Sequence, residues 1–409
     1  MKERRFNCNV KIVDMMMGTG KTSSAIHFIN NSQDEDKFIF ITPYLSEVNR
    51  IKTECAVKNF KEPKVYGTKL NGLKYLVTRG ANIVSTHALF QSFDKELIDM
   101  CRAHNYTLIM DEVTDVISRY DISEEDFKIM KDKFIDIDEA TGLISWRNPN
   151  DHYIGKFSKE KRLCELDSLA YYSGSVMMWL FPIEAFNSFR SIYILTYMFR
   201  SQVQCYYYDY YHLPYTYLYT TGSKLGDYHF ISDKNQIQSL DYDFKSLIHI
   251  IDDNKLNQIG DREYDLSKSW YIRNKNNVAI KQLKNNILNF FTNKRKTKTS
   301  LNLWTTFKDY KSALSGKGYG RGFIPLNTRA SNSYRDRISV AYPVNRYLNT
   351  GVKNFFLQHG IAVDEDGYAL SEMLQFIWRS AIRDGKEIWI YVPSIRMRRL
   401  LEKWIDENS

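Results

Sequence analysis

Cysteine is scarce: the 409 residues hold five (Cys8, Cys55, Cys101, Cys164, Cys205), an odd number with no C-x-x-C pair. Neither a disulfide framework nor a four-thiolate zinc site is indicated, and a reducing cytoplasm is the expected compartment. Long apolar runs are missing too. Nothing approaches the roughly 18 to 20 consecutive apolar residues of a bilayer span, and the basic start Met1 to Arg5 leads into no apolar run of signal-peptide length. Membrane and secretion readings drop out. Proline and glycine number only 8 and 19, and neither a low-complexity tract nor a fixed-period repeat is present, which argues against extended disorder. Lone histidines such as His87 and His104 lack metal-ligand spacing, so no structural metal is expected. Acidic residues are outnumbered: Lys and Arg total 57 against 48 Asp and Glu, a formal net charge of +9. That surplus favours a polyanionic partner, although solubility alone accounts for it. The remainder, 43% hydrophobic and 26% charged, is the composition of a globular chain of two or three domains.

Short apolar runs alternate with helical patterns over the first 115 residues. Val10 to Val13 precedes Ser23 to Asn30, Phe38 to Thr42 precedes Ser46 to Lys58, and Ile83 to Ser85 and Leu108 to Met110 follow. A parallel sheet covered by helices requires such alternation, because its strands are apolar on both faces. The pattern changes between about 117 and 187, where Ser123 and Asp126 cap a helix and Phe134 to Trp146 carries a turn at Glu139 to Gly142; this reads as an insertion. Ile192 to Leu195 then returns to the strand type, closing a first lobe at about 1–222. The tyrosines of 206–219 suit a β-ribbon. Residues 223–295 read as a linker and a helical segment, polar to Asn254 and helical from Leu266 to Phe291. A second strand-and-helix series fills 296–409: Leu301 to Thr305, Gly322 to Leu326, Ser371 to Arg383, Ile388 to Val392 and Ile395 to Ile405. The fold class is α/β, with two lobes and an insertion in the first.

Val10 to Ser24 reads as a strand, a glycine-containing turn and a helix. Backbone N–H groups in such a turn converge on phosphate oxygens, and the helix adds its positive end. Gly18 and Gly20 give the backbone freedom, with Thr19 and Ser23 in the same cradle. Lys21 would reach the β- and γ-phosphates and Thr22 would coordinate Mg2+, so ATP with magnesium is the expected cofactor. The pattern G-x-x-x-x-G-K-[ST] fails only at its first position, which is Met15. Thr107 to Met110 then leads into Asp111 and Glu112. Asp111 is assigned to the magnesium ion and Glu112 to the attacking water, since an α/β sheet gathers its strand C-termini at one edge.

These motifs resemble those of superfamily 2 helicases, and more closely the compact DNA helicases encoded by bacteriophages. The family's first motif, A/G-x-x-G-x-G-K-T, is matched at Gly18, Gly20, Lys21 and Thr22, and Asp111-Glu112-Val113-Thr114 shares its D-E with the DEAD/DEAH patterns. The resemblance implies two RecA-like lobes. It also implies nucleic-acid contacts at Thr42 and Pro43 of Phe40 to Tyr44, at Thr86 of Ser85 to His87, and at Asn327, Arg329 and Asn332 of Pro325 to Asn332. Ile194 to Met198 falls where a Ser/Thr coupling motif belongs. Gln375 to Arg383 resembles the Q-x-x-x-R motif of arginine fingers; Gln375, Arg379 and Arg383 stand at i, i+4 and i+8, so one helix face could present both guanidinium groups to a γ-phosphate. The family spaces its two arginines by three residues and this chain by four, so which is the finger stays open.

Lys281 to Phe307 contains no acidic residue but has Lys281, Lys284, Lys294, Arg295, Lys296 and Lys298, and Gly316 to Gly322 offers Lys317, Tyr319 and Arg321. Both suit phosphate or base contact, and both read equally as plain loops. The expected activity is ATP-dependent translocation on single-stranded or tailed duplex DNA, with RNA not excluded. Replication or recombination proteins are the expected partners, in the host cytoplasm if the gene is a phage's. Two alternatives stand beside it: a DNA-packaging or nuclease-linked motor ATPase, and a nucleotide-gated DNA-binding protein without unwinding activity. An upstream adenine-reading glutamine motif is not evident, which leaves the base open.

Overall fold

A computed structural model of the chain describes residues 5–43, 45–148, 151–174, 176–222, 227–237, 243–326 and 334–409. The chain divides into two units, Met1–Gln238 with Asn349–Val363, and Ser239–Leu348 with Asp364–Ser409. Its strands, in chain order, are β1 (Asn9–Asp14), β2 (Phe38–Thr42), β3 (Ile83–Thr86), β4 (Thr107–Asp111), β5 (Ile117–Tyr120), β6 (Ile135–Ile137), β7 (Ile144–Trp146), β8 (Leu169–Ser173), β9 (Val176–Leu180), β10 (Ser191–Thr196), β11 (Tyr215–Thr221), β12 (His229–Ile231), β13 (Ile248–Ile250), β14 (Asn302–Trp304), β15 (Ser339–Ala341) and β16 (Ile388–Tyr391).

The first unit is built on a seven-stranded sheet of order β12-β11-β1-β10-β4-β2-β3. Every pairing in it is parallel except that of β11 with β12. All five residues of β2 are buried, as are Val10, Ile12 and Val13 of β1. The apolar runs of the sequence are therefore strands covered on both faces. Helix Lys21–Asn30 packs Ala25, Ile26 and Ile29 into the same core as Phe38, Phe40 and Leu195.

The segment from 117 onward forms a three-stranded sheet, β5-β9-β8, and a hairpin, β6-β7. Its helix Glu124–Lys133 starts where Ser123 Oγ accepts from the Asp126 N–H at 3.1 Å. Phe127, Met130, Ile144, Trp146 and Met177 share a core distinct from that of the large sheet. Helix Thr350–Gln358 closes this region from a distant part of the chain. Phe355 and Phe356 pack on Tyr210 and Tyr206 with ring centroids 5.2 and 5.7 Å apart, and His359 Nε2 lies 3.1 Å from the Thr141 carbonyl.

The second unit carries a four-stranded parallel sheet of order β13-β16-β15-β14. Its core gathers Trp270, Leu283, Phe290, Trp304, Tyr319 and Tyr391. Both units are thus parallel sheets flanked by helices.

Several expectations need correction. The tyrosine-rich stretch is not one ribbon: Val203–Tyr211 is helical, with Tyr206, Tyr207, Tyr208, Tyr210 and Tyr211 buried, and only Tyr215–Thr221 is strand. Aromatic packing overrides strand propensity there. Gly322 to Leu326 makes no strand. After the 3-10 turn Gly320–Gly322, whose Gly322 passes so close to β14 that a Cβ would meet the Asn302 carbonyl oxygen at 2.1 Å, a single residue, Phe323, bridges Trp304 in parallel. The pattern from Leu266 to Phe291 splits into helices Lys268–Arg273 and Val278–Asn289, the second restarted by the Asn277 cap. Residues 223–295 contribute β12 to the first sheet and β13 to the second.

Candidate functional site

Strand β1 ends at Asp14, and the chain turns through Met15 to Gly20 before helix Lys21–Asn30 begins. Gly18 and Gly20 have φ of 88° and 80°, which side-chain-bearing residues adopt at a cost. Lys21 points back into this loop, its Nζ donating to the Met15 and Met16 carbonyls at 2.6 and 2.9 Å. The ammonium group is thus folded onto the loop's own carbonyls. Thr19 Oγ1 donates to the Met16 carbonyl at 2.9 Å, and its own carbonyl accepts from Thr220 Oγ1 at 2.8 Å, which ties the end of β11 to the loop.

Strand β4 lies two strands from β1, with β10 between them. Its end brings Asp111 Oδ1 to 3.4 Å from Thr22 Oγ1, and Glu112 Oε2 to 3.5 Å from Thr196 Oγ1 at the end of β10. Glu112 holds φ at 72°, a strained left-handed backbone, while its N–H donates to the Leu195 carbonyl at 2.9 Å. Burial, together with Glu112 and Glu47, pushes the Asp111 carboxyl up to about 7 against the pull of Lys21 and Arg50. A carboxyl so destabilised as an anion, beside a threonine hydroxyl and the lysine loop, fits a bound cation: Thr22 and Asp111 would hold magnesium, which would draw charge from the phosphates.

Sequence reasoning missed several participants. Asp14 accepts from the Met198 and Phe199 N–H groups at 2.7 and 3.0 Å, joining the phosphate-loop strand to the turn after β10. Arg50, paired with Glu47 and Glu54, reaches Ser23 Oγ at 3.4 Å. Tyr228 lies against Gly20, where an added Cβ would come within 2.2 Å of its ring. Apart from the i,i+3 and i,i+4 ion pairs of Arg50, these contacts span 27 to 208 residues of chain and have no local signature.

The remaining expected residues fall in varied places. Thr42 is buried at the end of β2, Pro43 follows it, and Thr86 ends β3. His87 Nε2 lies 2.9 Å from the Asp111 carbonyl, a local structural role. Tyr44, Asn327, Arg329 and Asn332 lie outside the described residues. Gln375 and Arg379 do not share a helix face with Arg383. Helix Glu365–Ile377 stops at Trp378, Ser380 Oγ folds back to the Ile377 carbonyl at 2.6 Å, and Arg383 sits in the 3-10 turn Ala381–Asp384. Arg379 is buried and Arg383 partly so. Tyr319 is no stacking platform, being buried against Phe291 and Trp304. In the basic stretch Lys294 pairs with Asp253 at 2.6 Å and Arg295 lies over the Trp389 ring at 3.7 Å, whereas Lys281, Lys296 and Lys298 are exposed.

The first unit's sheet gathers a phosphate-type loop, a D-E strand end and the Thr196 end of β10 at one edge, the arrangement of a P-loop-type nucleotide-binding unit. The family model for the res subunit of type III restriction enzymes matches residues 3–134 of it. Models of the YonV middle domain and the YonV C-terminal Rossmann-like domain match residues 117–179 and 242–405. The chain is 41% identical over 411 residues to the SPbeta prophage-derived uncharacterized protein YonV of Bacillus subtilis (strain 168), covering 98% of this chain and 99% of that protein, and it belongs to the YonV family. Among solved structures, an XPD helicase aligns over 97% of this chain and 95% of its own at 10% identity and a TM-score of 0.44. S. tokodaii Xpd4 aligns over 97% and 94%, at 10% identity and 0.48. No described helix is long and apolar enough to cross a membrane.

Proposed function

We propose that this protein is an ATP-dependent nucleic-acid translocase, a DNA helicase serving the replication or recombination of a mobile genetic element. The observation that carries the reading is that one sheet edge holds Lys21 folded into the loop, Thr22 3.4 Å from Asp111, and Glu112 3.5 Å from Thr196. Lys21 leaves the Met15 and Met16 carbonyls to neutralise the β- and γ-phosphates. Glu112 orients the attacking water, and Thr196 senses the change at Glu112 and passes it to the turn held by Asp14. By the resemblance to the arginine-finger motif, one of Arg379 and Arg383 would stabilise charge on the transferred phosphoryl group. Pro43, Thr86, Asn327, Arg329 and Asn332 grip a single strand, whereas Thr42, fully buried at the end of β2, does not reach it.

The relative from a prophage supports the mobile-element setting, and the match to a type III restriction enzyme subunit supports a DNA-directed motor. The test is strand displacement on tailed duplexes of DNA and of RNA, with and without ATP and magnesium, comparing wild type with Lys21→Ala. Displacement of DNA that disappears in the variant is expected. Full DNA-stimulated ATP hydrolysis by Lys21→Ala would overturn the reading.

A further inference from the structure

Resting on the nucleotide reading above, the sheet order fixes which way a triphosphate must lie. Asp111 and Glu112, the groups assigned to magnesium and the attacking water, stand on the β10 and β4 side of β1. The γ-phosphate of a nucleotide held by Gly18 to Thr22 therefore points to that side. Its sugar and base leave toward the other side, where β11 and β12 complete the sheet.

An aromatic ring is already placed there. Tyr228, the residue directly before β12, lies against Gly20, and it is partly exposed. Three features hold it in position. Thr220 Oγ1 at the end of β11 donates to the Thr19 carbonyl at 2.8 Å. Gly222 has φ of 113°, and a Cβ there would meet the Asp227 carbonyl oxygen at 2.5 Å, so only glycine lets the chain return so tightly to Tyr228. Beyond it, Phe230 stacks on Tyr193 with centroids 5.5 Å apart and packs on Phe28 at 6.1 Å, anchoring β12 to the core. Phe230, partly buried, thus packs against the core of the sheet while Tyr228 lies at the loop.

We propose that Tyr228 is the platform on which the nucleobase of the bound triphosphate stacks, so the hairpin of β11 and β12 supplies the base-binding side of the site. Every base offers a π-face, and stacking on an aromatic ring has the reach and tolerance this position needs.

The test separates base from phosphate. Binding of ATP and of inorganic tripolyphosphate, each with magnesium, is measured by calorimetry on the full-length protein and on Tyr228→Ala, Tyr228→Leu and Tyr228→Phe. Leucine keeps bulk against Gly20 but has no ring face, which guards against a variant that merely loosens the loop. The expected result is ATP affinity lowered about tenfold in the alanine and leucine variants, kept by phenylalanine, with tripolyphosphate affinity unchanged in all three. ATP affinity equal to wild type in Tyr228→Leu, or a parallel loss for tripolyphosphate, would overturn the assignment. If the wild type binds ATP no better than Lys21→Ala does, the nucleotide reading itself fails and this one falls with it.

Discussion

Asp14 offers the sharpest test of how the phosphate loop is joined to the rest of its sheet. Its carboxylate accepts two backbone N–H groups, from Met198 at 2.7 Å and Phe199 at 3.0 Å. Met198 is held at φ 56°, so these bonds secure a turn that the backbone alone does not favour. In Asp14→Ala both donors lose their partner in a partly buried setting, at roughly 1 to 1.5 kcal/mol each, so about 2 to 3 kcal/mol in total. For a unit of this size that lowers the thermal midpoint by about 5 to 10 °C. Asp14→Asn keeps one acceptor and should lose about half as much. The two variants also differ in their dependence on pH. Burial, opposed by the Phe199 and Met198 N–H groups and by Lys21 and Arg200, leaves the Asp14 carboxyl above its ordinary value. Between its unfolded and folded pKa the native state binds the extra proton, so raising the pH through that window destabilises wild type relative to Asp14→Asn. Thermal unfolding followed by circular dichroism from about pH 4 to pH 8 reads both effects. An Asp14→Ala protein that melts with wild type would refute the bridge, and a wild-type minus Asp14→Asn difference that grows with pH would refute the sign.

Two other outcomes follow from separate parts of the molecule. Arg379→Ala should lower the turnover of ATP about a thousandfold with nucleotide affinity retained, and Arg383→Ala should cost less; stopped-flow binding beside steady-state hydrolysis distinguishes them, and unchanged turnover in both would remove the arginines from the mechanism. Burial pushes the thiols of Cys8 and Cys205 up to about 11 and those of Cys55, Cys101 and Cys164 up to about 12. At pH 8 Ellman's reagent should react with them roughly a hundredfold or more below the rate for a free thiol, and with all five in denaturant; one fast thiol in the native protein would count against the packing.

The parts of the fold that were legible in the sequence are those whose signal is local. Val10 to Val13, Phe38 to Thr42, Leu108 to Met110 and Ile192 to Leu195 are apolar because both faces of a central strand are covered, and each is a strand of the large sheet. Lys21, Thr22, Asp111 and Glu112 stood out in the sequence because phosphate and magnesium chemistry restricts residue type and spacing together, and the fold brings Thr22 to 3.4 Å from Asp111. Tyr206 to Tyr211 misled because strand propensity describes a residue on a pleated surface, whereas these rings fill space around a helix that faces Phe186, Phe355 and Phe356. The i, i+4, i+8 spacing of Gln375, Arg379 and Arg383 assumes a helix that continues, whereas this one ends at Ile377, whose carbonyl accepts from Ser380 Oγ. Asp14, Arg50, Thr220 and Tyr228 were invisible for a different reason: an aspartate or tyrosine beside a loop looks ordinary until the topology says what it faces.

Helix Thr350–Gln358 belongs to the first unit although about 110 residues of the second precede it. During synthesis, Tyr206 and Tyr210 leave the ribosome well before Phe355 and Phe356 exist to cover them. At about 5 to 20 residues per second, the amino-terminal half waits on the order of 10 to 30 seconds with that aromatic surface open. Its completion is therefore late and depends on the rest of the chain having been made, so a fragment ending near residue 240 should emerge sticky and short-lived, prone to capture by chaperones.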